Sequence, residues 1–151
     1  MPNLLSPAVD KLAFRPPRPS YRKEDVTLRI ETDRGSWIPA IHLNRGFKFT
    51  LLISHGNAED MGDSARLWQV LSEILRVNVF CYEYSGYGHA TGKPSEENLY
   101  SDARAAVHLL VNELGLKASS EIVLVGKSLG SCAVCHLASR GTTYRGYARY
   151  P

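Results

Sequence analysis

Cysteine is scarce in this sequence: Cys81, Cys132 and Cys135 are the only three in 151 residues. A small, odd number argues against a disulfide framework and fits a reducing compartment. Long apolar runs are absent as well, and none approaches the ~20 residues a membrane-spanning helix requires. The opening stretch, Met1 to Phe14, has no basic n-region, apolar h-region or cleavage signature, so export is not expected and a cytoplasmic location is. No Gly follows Met1 and no Cys precedes Cys81, so no acylation anchor is legible. Internal repeats and low-complexity tracts are missing too. What remains, 44% hydrophobic and 22% charged residues, is the composition of one globular domain large enough to bury a core.

The net charge of +3 is unevenly placed. Lys11, Arg15, Arg18, Arg22 and Lys23 stand against Asp10 alone in the first 23 residues, and Arg140, Arg145 and Arg149 face no acid at the other end. The stretch between is acidic. A basic leader of this kind is expected to be solvated, with peripheral contact to an anionic membrane surface as its other use. Nucleic acid is not expected as a partner, because the body is acidic and carries no recognition motif.

Residues 1–23 read as a proline-rich basic lead-in, extended through Phe14–Ser20 because proline fixes the backbone there. From Glu24 to Thr32, Val26, Leu28 and Ile30 alternate as in a half-buried strand; Asp33–Ser36 is a turn, and Trp37–Leu43 a second strand. Phe49–Ile53, Val77–Tyr82 and Ile122–Val125 are short continuous apolar runs, the pattern of strands buried on both faces. Between them lie two helices. Asp63 is placed to cap the first, whose Leu67, Trp68, Leu71, Ile74 and Leu75 share a face; Ser95 opens the second, which Gly115 stops. A third helix follows from about Leu129 to Arg140. A hairpin followed by alternating strands and helices predicts an α/β domain over 24–140 with parallel pairing through right-handed crossovers. Residues 141–151 read as an irregular tail.

Gly126-Lys127-Ser128-Leu129-Gly130 fits G-x-S-x-G directly after a buried strand and directly before a helix, the context of a nucleophile elbow. The sharp turn strains the serine, the two glycines prevent side chains from striking neighbouring backbone, and the hydroxyl stands at a helix N-terminus that favours developing negative charge. His55-Gly56-Asn57-Ala58 follows the first buried strand, where the backbone N–H of Asn57, with that of Leu129, could receive an oxyanion. His55 itself reads as a structural histidine of that loop.

These blocks, Ser54-His55-Gly56-Asn57-Ala58, Tyr84-Ser85-Gly86-Tyr87-Gly88, Gly92 through Tyr100 (G-K-P-S-E-E-N-L-Y) and Gly126 through Gly130, together resemble the alpha/beta-hydrolase domain-containing protein 17 group. The resemblance runs from about Leu12 to Arg140. It implies the alpha/beta-hydrolase fold, Ser128 as nucleophile, Asn57 and Leu129 as oxyanion donors, no cofactor and no metal. It also implies an acyl ester or S-acylated protein as substrate, most specifically a palmitoyl thioester; a serine aminopeptidase or lipase of the same superfamily is the alternative. Glu83 and Ala90 stand where the group usually has Asp and Ser, changes expected to touch loop packing only. The group's N-terminal palmitoylated cysteine cluster is not among these residues.

In this fold the acid and the histidine follow the nucleophile strand, in that order. Gly141–Pro151 contains no His, Asp or Glu. His42, His55, His89, His108 and His136 are all misplaced for the base; His136 lies about 12 Å along the elbow helix from Ser128. The expectation is therefore a C-terminally truncated chain with an incomplete triad, inactive by itself, whose strand 122–125 is an unguarded and association-prone edge. Two other motifs lose to this reading. A P-loop ending in Gly126-Lys127-Ser128 would need Gly at 121, which is Glu. Cys132-Ala133-Val134-Cys135-His136 matches C-x-x-C-H, but it falls inside the elbow helix, lacks an export signal, and has only Met1 and Met61 for a second haem ligand.

Overall fold

Two of the three continuous apolar runs become the middle of a mixed sheet; the third, Ile122–Val125, expected to be buried on both faces, lies at its edge and is only part-buried, because it has a neighbour on one side alone among the described residues. A computed structural model describes residues 6–140; the tail expected over 141–151 lies outside the described residues. Strands β1 (Leu28–Glu31), β2 (Trp37–Leu43), β3 (Thr50–Ser54), β4 (Asn78–Tyr82) and β5 (Ile122–Gly126) are ordered β1-β2-β4-β3-β5. β2 is antiparallel to β1 and β4, and β3 runs parallel to β4 and β5. Every residue of β3 and β4 is buried, as their unbroken apolar runs require. Helices α3 (Glu96–His108) and α5 (Leu129–Ser139) cover one face through Leu52, Phe80, Tyr82, Leu99, Leu110 and Leu137. Helix α2 (Met61–Leu75) covers the other through Leu51, Ile53, Met61, Val79 and Cys81.

Local chemistry moves several boundaries from those the pattern predicts. β1 begins at Leu28 because Lys23–Asp25 forms a 3-10 turn, closed by an Arg22–Asp25 ion pair of 2.9 Å. The cap of α2 is Asp60, not Asp63. Its carboxylate accepts from the N–H groups of Gly62 (2.9 Å) and Asp63 (3.1 Å), while Asp63 accepts from the N–H of Asp60, a reciprocal capping box. Only part of the apolar stripe of α2 meets the sheet. Met61 is buried and Trp68 and Leu71 are half-buried, but Leu67, Ile74 and Leu75 are exposed. The helix touches β4 and β2 along a line narrower than its apolar arc.

Ser95 caps α3 as expected, its hydroxyl accepting from Asn98 N–H at 3.1 Å. The helix then continues past His108 as a π-helical segment, Leu109–Glu113, before Gly115 at φ 74° ends it. Two short helices were not legible: α1 (Ser6–Ala13) and α4 (Ala118–Glu121).

The lead-in carries no helix or strand from Phe14 to Ser20, and its basic residues Lys11, Arg15, Arg18, Arg22 and Lys23 are exposed as expected, yet it is also hooked onto the body. Phe14 is buried, Arg15 N–H donates to Asn57 Oδ1 (2.8 Å), Ser20 N–H donates to Asp60 Oδ2 (2.6 Å), and Tyr21 sits edge-on to His89.

Asp102 on α3 is wholly buried and accepts from both the N–H (2.6 Å) and the hydroxyl (2.8 Å) of Ser85. Burial pushes its pKa from 3.8 up to about 7, against the lowering effect of the two Ser85 hydrogen bonds. The folded state thus holds a proton that an unfolded aspartate releases near its ordinary pKa. Stability should fall as pH rises from about 4 to about 7, and Asp102→Asn should flatten that slope in urea unfolding run across the range. A second expectation concerns β5, which pairs only with β3 among the described residues and leaves Val123 43% exposed. The 151-residue chain should associate with rising concentration in sedimentation velocity, and Val123→Lys should reduce this.

Candidate active site

The site begins with the register of two strands. Ser54, last in β3, lies opposite Gly126, last in β5, and Lys127 N–H donates to the Ser54 carbonyl at 3.1 Å. The loops after both strands therefore emerge side by side, the 55–58 segment next to the 126–130 turn.

Ser128 is the residue on which that turn pivots. Its backbone, at φ 51° and ψ −115°, lies where a side chain is strained, and it stands exposed immediately before α5. Both glycines are sterically required. A Cβ on Gly126 would come 2.6 Å from the Gly130 carbonyl oxygen, and a Cβ on Gly130 would overlap the carbonyl oxygen of Ser54. The first turn of α5 is partly bonded: Gly130 N–H reaches the Lys127 carbonyl and Ser131 N–H that of Ser128, both at 2.9 Å. The N–H of Leu129 meets no acceptor among the described residues.

The facing loop is held from below and from its flank. His55 is buried, with Nδ1 2.9 Å from the Gly56 carbonyl and Nε2 3.2 Å from Oε2 of the fully buried Glu83, an ion pair when His55 is protonated. The geometry gives these last two atoms proximity without an aligned hydrogen bond. Glu83 Oε1 accepts from Met61 N–H (2.8 Å), and the Tyr84 hydroxyl donates to the His55 carbonyl (2.7 Å). Glu59 accepts from Gly56 N–H (3.2 Å) and pairs with Lys127, which ties the two loops together. The Lys127 hydrogen bond holds the Glu59 carboxyl below its ordinary pKa.

Asn57 divides its groups. Its side chain is fully engaged, accepting from Arg15 N–H (2.8 Å) and the Tyr87 hydroxyl (2.6 Å) and donating to the Ala13 carbonyl (2.5 Å). Its backbone N–H is left without an acceptor among the described residues. The positions singled out in the sequence are thus brought to one end of the sheet: Ser128, Gly126, Gly130, and the N–H-bearing Leu129 and Asn57.

No histidine or carboxylate hydrogen-bonds to the Ser128 hydroxyl among the described residues. His136, of the C-x-x-C-H segment, stacks on Tyr100 at 4.1 Å within the α3–α5 interface, and Cys132 and Cys135 are exposed. The supporting roles of Glu83, Tyr84, Tyr87 and the Glu59–Lys127 pair escaped the sequence reading. Glu83 was expected to matter for packing alone, yet it lies at the centre of a polar network under the 55–61 loop.

Because the collision at Gly130 is with backbone, Gly130→Ala should cost about 3 kcal/mol or more in urea unfolding, while the exposed neighbour Ser131→Ala should stay within about 0.5 kcal/mol.

Comparison with known proteins bears on the fold and the family of the chain. Among curated proteins, the alpha/beta hydrolase domain-containing protein aho-3 of Caenorhabditis elegans is 39% identical over 92% of this chain and 49% of its own length. Alpha/beta hydrolase domain-containing protein 17C of Xenopus laevis is 42% identical over 80% of this chain and 40% of its own, and the human 17B protein 32% identical over 86% and 55%. The chain spans about half the length of the curated relatives it matches, and the resemblance read from its motifs is borne out. An esterase from Pyrococcus furiosus superposes with a TM-score of 0.64 at 19% identity, covering 86% of this chain and 54% of that one. An alpha/beta hydrolase from Vibrio vulnificus superposes at 0.62 and 22% identity, covering 76% and 40%. The fold is that of the alpha/beta hydrolases, represented by five strands. Residues 40–142, more than half of the chain, match the model of the family described as Chlamydia CHLPS protein (DUF818), and the chain belongs to that family.

Proposed function

We propose that this chain carries the nucleophile half of a serine hydrolase acting on an acyl ester or thioester, with palmitoyl-protein thioesterase chemistry as the specific activity. The observation that carries the reading is the strained Ser128, held exposed at the start of α5 by two glycines that admit no side chain. Ser128 Oγ attacks the acyl carbonyl. The oxyanion that forms lies between the unclaimed N–H groups of Leu129 and Asn57, assisted by the α5 N-terminus. The thiol or alcohol leaves, and water then releases the acyl group from Ser128. Nothing in these steps calls for a cofactor or a metal. The relatives' names support a hydrolase; the preference for palmitoyl thioesters over the esters or peptides of other superfamily members rests on the motif resemblance.

A second reading concerns the 151 residues taken alone. Ser128 has neither a base nor an acid hydrogen-bonded to it among the described residues, and loss of such a partner typically lowers turnover roughly ten-thousand-fold. Fluorophosphonate labelling and hydrolysis of a palmitoyl-cysteine peptide distinguish the two. Protein extended by the segment through which its relatives exceed it should label and turn over, and Ser128→Ala should abolish both. The 151-residue chain should show neither above background. Ser128-dependent labelling of the short chain would overturn the inactive reading, and an extended chain that labels elsewhere would overturn the assignment of the nucleophile.

A further inference from the structure

β1 is the outermost strand at the side of the sheet remote from β5, paired with β2 and with nothing else among the described residues. Which of its main-chain groups point outward follows from its neighbour. The Pro39 carbonyl accepts from Glu83 N–H at 3.0 Å, the Trp37 carbonyl accepts from Thr91 N–H at 2.9 Å and the Trp37 N–H donates to the Thr91 hydroxyl at 2.7 Å, so residues 37 and 39 turn their polar groups away from β1. Their antiparallel partners, Glu31 and Arg29, must then form the wide pairs, while Leu28 and Ile30 bond to Ala40 and Ile38. Arg29 and Glu31 consequently direct two N–H groups and two carbonyls outward, and no hydrogen bond among the described residues takes them up.

These groups face a groove. A cavity of about 340 Å³ lies between the outer edge of β1 and α3, and Arg29, Ile30 and Glu31 line it from the strand. The Arg29 guanidinium lies 5.4 Å from the Trp37 ring centroid, and Arg29 alternates with the core residue Ile30, so its side chain is on the opposite sheet face. What Arg29 gives the groove is main chain. From α3 come Arg104, Ala105 and His108, and from the π-helical segment that continues it Leu109, one helical face. The apolar floor is Ile30, Ala105 and Leu109. Asp33 closes one end, bound to Ser101 and paired with Arg104 at 2.9 Å.

The geometry points to this groove as the docking site of an extended polypeptide segment from a partner protein, added to the sheet as a strand beside β1. The occupant is fixed by hydrogen-bonding complementarity. Arg29 and Glu31 repeat their donor and acceptor every second residue, roughly 7 Å along the strand, a spacing that an extended main chain reproduces. Alternation fixes the side chains too. Those of the guest that turn towards α3 stand over Ile30, Ala105 and Leu109 and must be small and apolar; those between them face solvent. Charge contributes little, since Arg104 is already neutralised by Asp33, the Arg29 and Glu31 side chains lie on the opposite sheet face, and Glu113 is the one charged group left among the described lining residues. This surface is independent of the chemistry at Ser128.

The test selects ten-residue peptides from a displayed random library on the full chain, then measures synthetic versions by fluorescence polarisation. Apolar residues at alternate positions are expected, with amide shifts of bound protein at 29–31 and 104–109. Arg29→Pro removes one outward donor without touching the β2 ladder, and should weaken binding at least tenfold. Ala105→Glu places a charge on the groove floor and should do the same, keeping the test available if Arg29→Pro fails to fold. Ser128→Ala should bind as the parent does. The proposal is overturned if no sequence is enriched over an unrelated immobilised protein, or if selected peptides bind both variants unchanged. Self-association abolished by Arg29→Pro in a chain that binds no peptide would also overturn it, by making a second copy the occupant.

Discussion

Gly130 rests against the carbonyl of Ser54 with no room for a methyl group, and most of the site's arrangement depends on that contact. The elbow helix can approach the end of β3 only because residue 130 has no side chain. Its approach sets the start of α5 beside the loop that leaves β3, which brings the N–H groups of Leu129 and Asn57 to the same end of the sheet. The strain at Ser128 follows from the same closeness, since the chain must reverse from strand to helix within one residue. Such strain persists only where the surroundings over-determine it. Here they do so through the Lys127–Ser54 main-chain bond, the Lys127–Glu59 pair and the Gly126–Gly130 approach.

Below that contact lies a buried polar layer, in which His55, Glu83, Tyr84 and Tyr87 hold the underside of the 55–61 loop. Buried polar groups contribute little net stability compared with apolar packing, but removing one partner of a buried hydrogen bond is costly because the other is left unsatisfied. The layer therefore acts chiefly on shape. It keeps the Asn57 side chain occupied with Tyr87 and the lead-in, so that the backbone N–H remains the group available to a ligand.

Much of this was legible in the sequence, for identifiable reasons. β3 and β4 announce themselves as unbroken apolar runs, and the elbow as a glycine pattern between strand and helix; both signals are local, and the like run of β5 does not tell that it lies part-exposed at an edge. What failed was non-local. Asp63 looked like a helix cap because it precedes an apolar stripe, but Asp60 holds that role, with Ser20 bound to the same carboxylate from 40 residues away. Leu67, Ile74 and Leu75 have the right helical spacing for burial, yet spacing cannot report how wide a contact the sheet offers. Glu83 differs from a related aspartate by one methylene, and no pattern in one chain reveals that His55 and Met61 N–H converge on it. The residues that support the loop are joined by contacts between distant parts of the chain, which leave no local signal.

The lead-in has a consequence for the order of events during synthesis. Its hooks join positions far apart in the chain, 40 residues for Ser20 with Asp60 and 72 for Arg15 with Tyr87. Arg15 and Ser20 thus wait for partners that leave the ribosome later. Closing such long loops is slow compared with forming helices or neighbouring strand pairs. The pairing of β3 with β5 spans as much chain, 72 residues from Thr50 to Ile122, so the sheet closes no sooner. Asn57, Asp60 and Tyr87 all precede the nucleophile turn at 126–130, so a nascent chain can fasten its oxyanion loop to the lead-in before Ser128 has emerged.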